Sequence, residues 1–156
     1  MSGYVFEARV WLGRPRAEVF AFFADPRNLS LLAPPALALT LENPIETIIA
    51  GSVLDFRMSW LGVSVRWRAL IREFDPPYRF VDVQVRGPWA RWEHRHMFFE
   101  ADGGTRVEDR VTYQLPFGPL GDLARALFAR RTLETLWHYR TRRLGELLGP
   151  LRPPAG

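Results

Sequence analysis

Two histidines separated by one residue, His94 and His96, are the side chains of this sequence best suited to chemistry. They lie between Trp92 and Phe98, and a spacing of two places all four on one face of a β-strand. The Asp-Gly-Gly turn at 102–104 predicts a hairpin in which His96 lies opposite Asp109, with ~5 Å between their Cβ atoms. An imidazole beside a carboxylate can act as a general acid or base, or can hydrogen-bond the polar end of a ligand.

The register of this hairpin predicts which face of it is buried. Pairing Glu100 with Thr105 puts the His–Asp group on the same face as a set of apolar side chains, namely Trp92, Phe98, Val107, Val111 and Tyr113. The opposite face carries charged residues that are expected to meet water, namely Glu93, Arg95, Glu108 and Arg110. A slip of one residue would move the aromatic side chains into solvent. Both histidines and Asp109 are therefore predicted to lie among apolar neighbours.

Three interpretations of His94, His96 and Asp109 remain open. The first is a hydrogen-bonded pair inside the sheet, in which Asp109 orients His96, because buried polar groups must find partners. In the second, the same groups form the floor of a cavity and bind the polar end of an apolar ligand. The third is chemistry, either general acid–base catalysis by His96 or a metal site of two histidines and one carboxylate. A metal or cofactor is not expected, because a flat sheet offers three ligands and His138 lies far away on the last helix.

The elements that must position these residues can be recognised from hydrophobic periodicity and turn residues. Strands are predicted at 4–12, 37–43, 53–60, 63–74, 78–86, 90–100 and 105–115. Two short helices follow the first strand, one from about Pro15 to Asp25 and one from Asn28 to Leu32, and a long helix spans 119–148. Strands joined by short turns pair antiparallel. The pattern predicts an α+β fold: a single domain over 1–149, in which a curved antiparallel sheet of six or seven strands wraps the C-terminal helix, with a flexible tail at 150–156.

The C-terminal helix is predicted to be amphipathic. Its leucines recur at spacings compatible with one face, which should cover the sheet: Leu120, Leu123, Leu127, Leu136, Leu144 and Leu147. Its arginines are assigned to the polar sides: Arg125, Arg130, Arg131, Arg140, Arg142 and Arg143. Arg57, Arg66 and Arg68 alternate with apolar residues on their strands and are mostly expected to face solvent.

Composition narrows the functional classes. The 156 residues include 11 Phe, 6 Trp and 4 Tyr, which indicates an aromatic core or an aromatic-lined cavity. The absence of cysteine excludes disulfides, thiolate catalysis and cysteine-bound metals. A net charge of +4 does not indicate nucleic-acid binding. No Gly-rich phosphate loop, Gly-x-Ser-x-Gly motif, signal peptide or membrane-length apolar segment is visible, so a cytoplasmic protein without stable membrane insertion is expected.

Several local motifs, in order along the chain, resemble one superfamily. They are the helix start at 14–20, the Asp25-Pro26 break, Gly103-Gly104 with Asp109, and the Leu-Pro-Phe-Gly-Pro segment at 115–119. From Val5 to Leu148 the chain resembles the START / Bet v 1-like superfamily, also called the polyketide cyclase/dehydrase and ligand-binding superfamily, and looks most like its small bacterial ligand-binding branch. The resemblance implies a helix-grip fold with a hydrophobic cavity between the sheet and the long helix.

The sequence and the resemblance together predict a non-catalytic module that binds or transports a lipid, isoprenoid, quinone or polyketide-like molecule, as a monomer or homodimer. The predicted ligand-binding residues are Trp67, Trp92, His94, His96, Phe98, Asp109, Val111, Tyr113 and Leu127. One alternative is a cyclase/dehydrase-type enzyme that uses His94, His96 and Asp109. Another is an interaction domain that uses the arginine-rich C-terminal helix.

Overall fold

A single seven-stranded antiparallel sheet forms the body of the protein in the computed structural model, which describes residues 3–116, 118 and 122–153. The strands are β1 (Tyr4–Leu12), β2 (Thr40–Leu41), β3 (Val53–Trp60), β4 (Val63–Asp75), β5 (Arg79–Arg86), β6 (Arg91–Ala101) and β7 (Gly104–Gln114). Their order across the sheet is β1-β7-β6-β5-β4-β3-β2, so the chain returns its last strand to its first. Two helices complete the fold, α1 (Arg16–Ala24) and α2 (Asp122–Leu148). The α+β helix-grip architecture predicted from the sequence is confirmed.

The β6–β7 hairpin has the predicted register. Glu100 pairs with Thr105 and His96 with Asp109. The tight turn is possible because Asp102 and Gly103 both take positive φ angles, 21° and 83°, a conformation that Gly and Asp tolerate better than other residues. This turn fixes which side chains of β6 and β7 face the interior.

The segment between α1 and β3 differs from prediction. A 3₁₀ segment covers Pro26–Leu32 and a second covers Pro35–Leu37, so the strand predicted at 37–43 shrinks to the two residues of β2. Proline lacks an N–H for a ladder, and Ala38 takes a left-handed conformation at φ 44°. Asn43 then replaces the ladder with its side chain, which bonds the Val53 carbonyl and the Asp55 N–H.

The inner face of α2 retains only part of the predicted leucine stripe, namely Leu144 and the half-buried Leu136. The buried residues of α2 are Ala129, Leu133, Trp137, Arg140 and Leu144, which recur every three or four positions and so share one side of the helix. Leu123, Leu127 and Leu147 are exposed instead, and Leu120 lies outside the described residues. The prediction weighed leucine alone, whereas the face that packs on the sheet is built around Trp137 and includes an alanine and an arginine.

The core has two clusters, and each of them joins α2 to the sheet. One is centred on α1 and the turns beside it and includes Val19, Phe20 and Phe98; the other joins α2 to β1, β6 and β7 through Leu133 and Trp137. After α2 the chain returns to β1, where the Leu151 N–H donates to the Trp11 carbonyl at 3.1 Å. Within the described residues, no helix is long and apolar enough to span a membrane.

Candidate functional site

A cavity of two adjoining chambers lies between the sheet and α2. The inner chamber, of about 200 Å³, ends at His94, His96 and Arg140. The outer chamber, of about 670 Å³, extends toward the beginning of α2. Five residues line both chambers and mark their boundary: Leu39, Met58, Trp67, Trp92 and Trp137. Exposed residues stand at the edge of the outer chamber, among them Pro88, Ala124 and Phe128. The volume suits a small organic ligand.

The inner chamber is lined mainly by apolar side chains, with Asp25 and Asn28 among the exceptions. Its other polar lining residues include His94 and His96, which meet two aspartates, Asp82 and Asp109. His94 and His96 project from β6 with their ring centroids 3.6 Å apart. His94 Nε2 donates to Asp109 Oδ1 at 2.7 Å, and His96 Nε2 donates to Asp82 Oδ2 at 2.8 Å. His96 Nδ1 lies 3.3 Å from Asp109 Oδ1 but makes no hydrogen bond among the described residues. We call these four residues the His–Asp cluster.

The pairing inside the His–Asp cluster differs from prediction. Asp109 is directly opposite His96 in the sheet, as expected, but its hydrogen bond goes to His94. His96 instead bonds Asp82, which pairs with His94 across β5 and β6. Each histidine therefore reaches diagonally to a carboxylate on a neighbouring strand, and β6 joins β5 to β7 through side chains as well as backbone.

Asp109 is also fixed from α2. The indole Nε1 of Trp137 donates to Asp109 Oδ2 at 3.1 Å, so both carboxylate oxygens accept hydrogen bonds. Trp137 lines both chambers and packs against the His94 ring, with 5.4 Å between centroids. The position of α2 over the sheet is thus coupled to the orientation of His94.

Arg140, one turn after Trp137, enters the inner chamber and is only 9% exposed. Its guanidinium carbon lies 5.2 Å from the ring centroid of Phe23 and 5.6 Å from that of Trp137. Its Nε makes no hydrogen bond among the described residues. The prediction that Arg140 belongs to the solvated side of the helix is therefore wrong, whereas Arg57, Arg66 and Arg68 are about half or more exposed, as expected.

The two carboxylates of the His–Asp cluster both have lowered pKa values. Burial raises the pKa of Asp109, but the hydrogen bond from His94, the adjacent His96 and the charge of Arg140 outweigh burial and hold it well below 3.8. Burial also raises the pKa of Asp82, and its hydrogen bond with His96 and the nearby cations outweigh burial and lower it. Both carboxylates are therefore ionised at neutral pH.

The two histidines shift in opposite directions. Burial, with the adjacent His96, lowers the pKa of His94 below 6.5 despite its bond to Asp109. Burial also lowers the pKa of His96, but the carboxylates of Asp109 and Asp82 outweigh it and raise this pKa above 6.5. Since neutral His94 donates through Nε2, its Nδ1 carries a lone pair and can accept a hydrogen bond or a proton.

A metal ion fits these residues less well than hydrogen bonding does. One ligand atom each from Asp82, His94 and His96 lie within 4.8 Å of one another, and such a set can bind divalent transition metals. Asp109, the carboxylate considered from the sequence, would stand behind His94 as its outer partner. A cation would, however, have to displace the proton of His96 close to the guanidinium of Arg140, whose charge acts on both carboxylates.

The structure brings part of the predicted ligand-binding set together at the cavity. Trp67, Trp92, His94 and His96 line the inner chamber. Asp109 is buried behind the histidines and contacts them directly.

The other predicted ligand-binding residues do not line either chamber. Phe98, Val111 and Tyr113 are buried in the hydrophobic core. Leu127 is 51% exposed, because it lies on the outer side of α2 rather than on the face that carries Leu133 and Trp137.

Two site residues, Asp82 and Arg140, escaped the sequence interpretation. Asp82 follows Phe80 by two positions, and Phe80 is buried and stacks on His96 with 4.1 Å between centroids. The alternation therefore contained a signal that Asp82 shares the inner face. Arg140 follows Leu133 by seven positions and Trp137 by three, so helical spacing could have placed it on the inner face.

The chain is similar to known proteins in sequence pattern and in fold. The family model described as "Polyketide cyclase / dehydrase and lipid transport" matches residues 12–140. No curated protein sequence matches.

Similar solved structures extend over nearly the whole chain. Protein Ms6760 from Mycobacterium smegmatis is 18% identical with a TM-score of 0.69, over 95% of this chain and 96% of that one. Protein TTHA0849 from Thermus thermophilus is 22% identical with a TM-score of 0.70, over 90% and 97%. Ara h 8.0201 is 17% identical with a TM-score of 0.63, over 92% and 99%. At these identities the likeness concerns the fold alone.

Proposed function

Because the chain belongs to the polyketide cyclase/dehydrase and lipid transport family, we propose that it binds or carries a hydrophobic small molecule of the lipid, isoprenoid, quinone or polyketide type. The observation that carries this proposal is the two-chamber cavity between the sheet and α2, which is lined mainly by apolar and aromatic side chains and has Arg140 and part of the His–Asp cluster among its few polar groups. Small-molecule binding sites are usually apolar cavities with a few polar groups that orient the ligand. The apolar part of the ligand occupies the outer chamber, and its polar end meets the His–Asp cluster.

The proposal can be tested by closing the outer chamber from α2. Thr132 is half-buried and lines this chamber, whereas Thr135 is exposed on the same helix. The substitution Thr132→Trp places an indole in the space for the ligand, so binding of the apolar dye Nile red, followed by fluorescence, should weaken about tenfold or more. Thr135→Trp is the matched control and should leave binding unchanged.

Circular dichroism of both variants shows whether the fold is kept. If wild-type protein does not bind Nile red, or if the two folded variants bind it equally, the outer chamber is not a ligand site.

A second candidate, an enzyme of the cyclase/dehydrase kind, is favoured by the state of His94. Its Nε2–H is held by Asp109 and its Nδ1 is free to accept a proton, which is the arrangement of a general base. Organic extracts of purified wild type and His94→Gln, compared by mass spectrometry, separate the two functions. A binding protein should carry the same compound in both forms. An enzyme should carry unconverted substrate in the variant, and exposed His138 provides the control His138→Gln.

A further inference from the structure

Arg140 is 9% exposed, and its guanidinium Nε is buried without a hydrogen-bond partner among the described residues. In the described part of the chain, no side chain or backbone oxygen forms a hydrogen bond with it, and no carboxylate lies within 4.0 Å of its nitrogens. Guanidinium groups are seldom buried without a partner, because they leave five N–H donors unsatisfied. The nearest carboxylates are engaged elsewhere, Asp109 with His94 and Trp137, and Asp82 with His96.

The surroundings of Arg140 hold its guanidinium in place without satisfying its hydrogen bonds. The rings of Phe23 and Trp137 lie 5.2 Å and 5.6 Å from the guanidinium carbon and provide cation–π contacts. An aromatic ring offers no oxygen or nitrogen lone pair in such a contact, so the N–H groups still need hydrogen-bond acceptors. The group that satisfies those donors must enter through the cavity, because Arg140 lines the inner chamber.

We infer that the ligand is an amphipathic acid whose carboxylate is bound by Arg140 and whose apolar part extends past Trp67 and Trp92 into the outer chamber. This inference rests on the proposed function. A carboxylate offers two oxygens to the guanidinium fork, whereas an ester or ketone carbonyl offers one. The site can also balance the negative charge of a bound carboxylate. The negative charges of Asp82 and Asp109 are offset by the positive charges of His96 and Arg140. The neutral His94 can then take up a proton when the anionic ligand enters.

The experiment compares dodecanoic acid with methyl dodecanoate as competitors that displace Nile red. The two compounds have the same alkyl chain, so displacement by the ester measures the apolar contribution to binding. The difference in affinity between acid and ester measures the contribution of the carboxylate. In wild type, the acid should displace the dye at a concentration at least about tenfold lower than the ester does. In Arg140→Met this preference should disappear while the ester still displaces the dye, which also shows that the cavity is intact.

The matched control is Arg142→Met, because Arg142 is exposed on the same helix and carries the same charge. Its acid preference should equal that of wild type. If Arg140→Met fails to fold, Arg140→Lys replaces it; lysine keeps the charge but not the bidentate fork, so the preference should fall about threefold or more.

The inference is overturned if wild type binds acid and ester equally, if either folded Arg140 variant keeps the full preference, or if Arg142→Met loses it. Each of these outcomes leaves the apolar cavity itself standing, since the ester still reports it. Failure of Nile red to bind at all would instead remove the proposed function.

Discussion

His94 and His96 share one face of β6 and the same pair of carboxylates, yet their pKa values move in opposite directions from 6.5. Burial and the adjacent His96 lower the pKa of His94, which favours its neutral form. Burial also lowers the pKa of His96, but Asp109 and Asp82 outweigh it and raise this pKa above that of the unfolded chain, which favours the protonated form. The two opposite shifts favour a single imidazolium in the cluster. They also give the folded protein a characteristic dependence on pH.

We predict that stability passes through a maximum near pH 6.5, the usual histidine value that both groups regain on unfolding. Above it, the unfolded chain has lost the proton that folded His96 keeps, so the stabilisation by His96 is present below 6.5 and is lost as the pH rises through its raised pKa. Below pH 6.5, the His94 imidazole binds a proton more readily in the unfolded chain than in the folded chain, because folding lowers its pKa. The free energy of unfolding therefore falls as the pH falls. Urea unfolding across roughly pH 5 to 8 measures both limbs.

Single substitutions show which histidine causes the decline in stability on each side of pH 6.5. His96→Gln should remove the decline on the alkaline side, and His94→Gln should remove the decline just below pH 6.5. The control substitution is His138→Gln, at an exposed histidine outside the His–Asp cluster. A stability that changes in one direction only across this range would contradict the opposite assignments of the two histidines.

At the scale of the element, α2 is positioned by Leu133, Trp137 and Leu144 rather than by the leucines nearest its beginning. Leu133 is 1% exposed and Leu127 51%. We predict that Leu133→Ala lowers the free energy of unfolding by about 2–5 kcal/mol, because it removes buried apolar contacts and leaves a cavity. Leu127→Ala, the matched control, should change it by no more than about 0.5 kcal/mol.

Urea denaturation of both variants measures this difference. Equal losses in the two would mean that α2 packs on the sheet with its Leu127 side, in conflict with the arrangement that brings Trp137 to Asp109.

The two hairpins around β6 show what determines whether a site can be predicted. Between β6 and β7 the turn is short and contains Asp102 and Gly103, so its geometry fixes the register, and Asp109 was correctly placed opposite His96. Between β5 and β6 the connection is wider and is held by Gln84, whose side chain bonds the Trp89 backbone. Such a connection does not fix a register in the sequence, and Asp82 was therefore missed.

At the scale of the whole molecule, the fold could be predicted because many weak signals agree. Strand alternation, turn residues and the long C-terminal helix all require an antiparallel sheet with one helix to cover it. The site depends on fewer and less ordinary features. Charged residues are normally found on the polar face of an amphipathic helix, and Arg140 is an exception. The polarity pattern of the sequence therefore predicted that Arg140 faces solvent.

The whole molecule also explains why the cavity lies where it does. Core packing is concentrated near α1 and in the contact of α2 with β1, β6 and β7, and the space between these regions is lined by large rings that meet edge to face, such as Trp67 and Trp92 at 5.1 Å. The aromatic richness of the sequence admitted either a core or a cavity wall, and the structure uses the rings for both.

The boundary between the chambers has one more consequence. A molecule that reaches from the edge of the outer chamber to Arg140 must pass Trp67, Trp92 and Trp137, since all three line both chambers. Trp60 and Trp89 also line the outer chamber, so five of the chain's six tryptophans lie along this path. The intrinsic tryptophan fluorescence of the protein should therefore change when a ligand occupies the cavity, without any added label or dye. A ligand retained from the host cell should already alter the fluorescence spectrum of the purified protein.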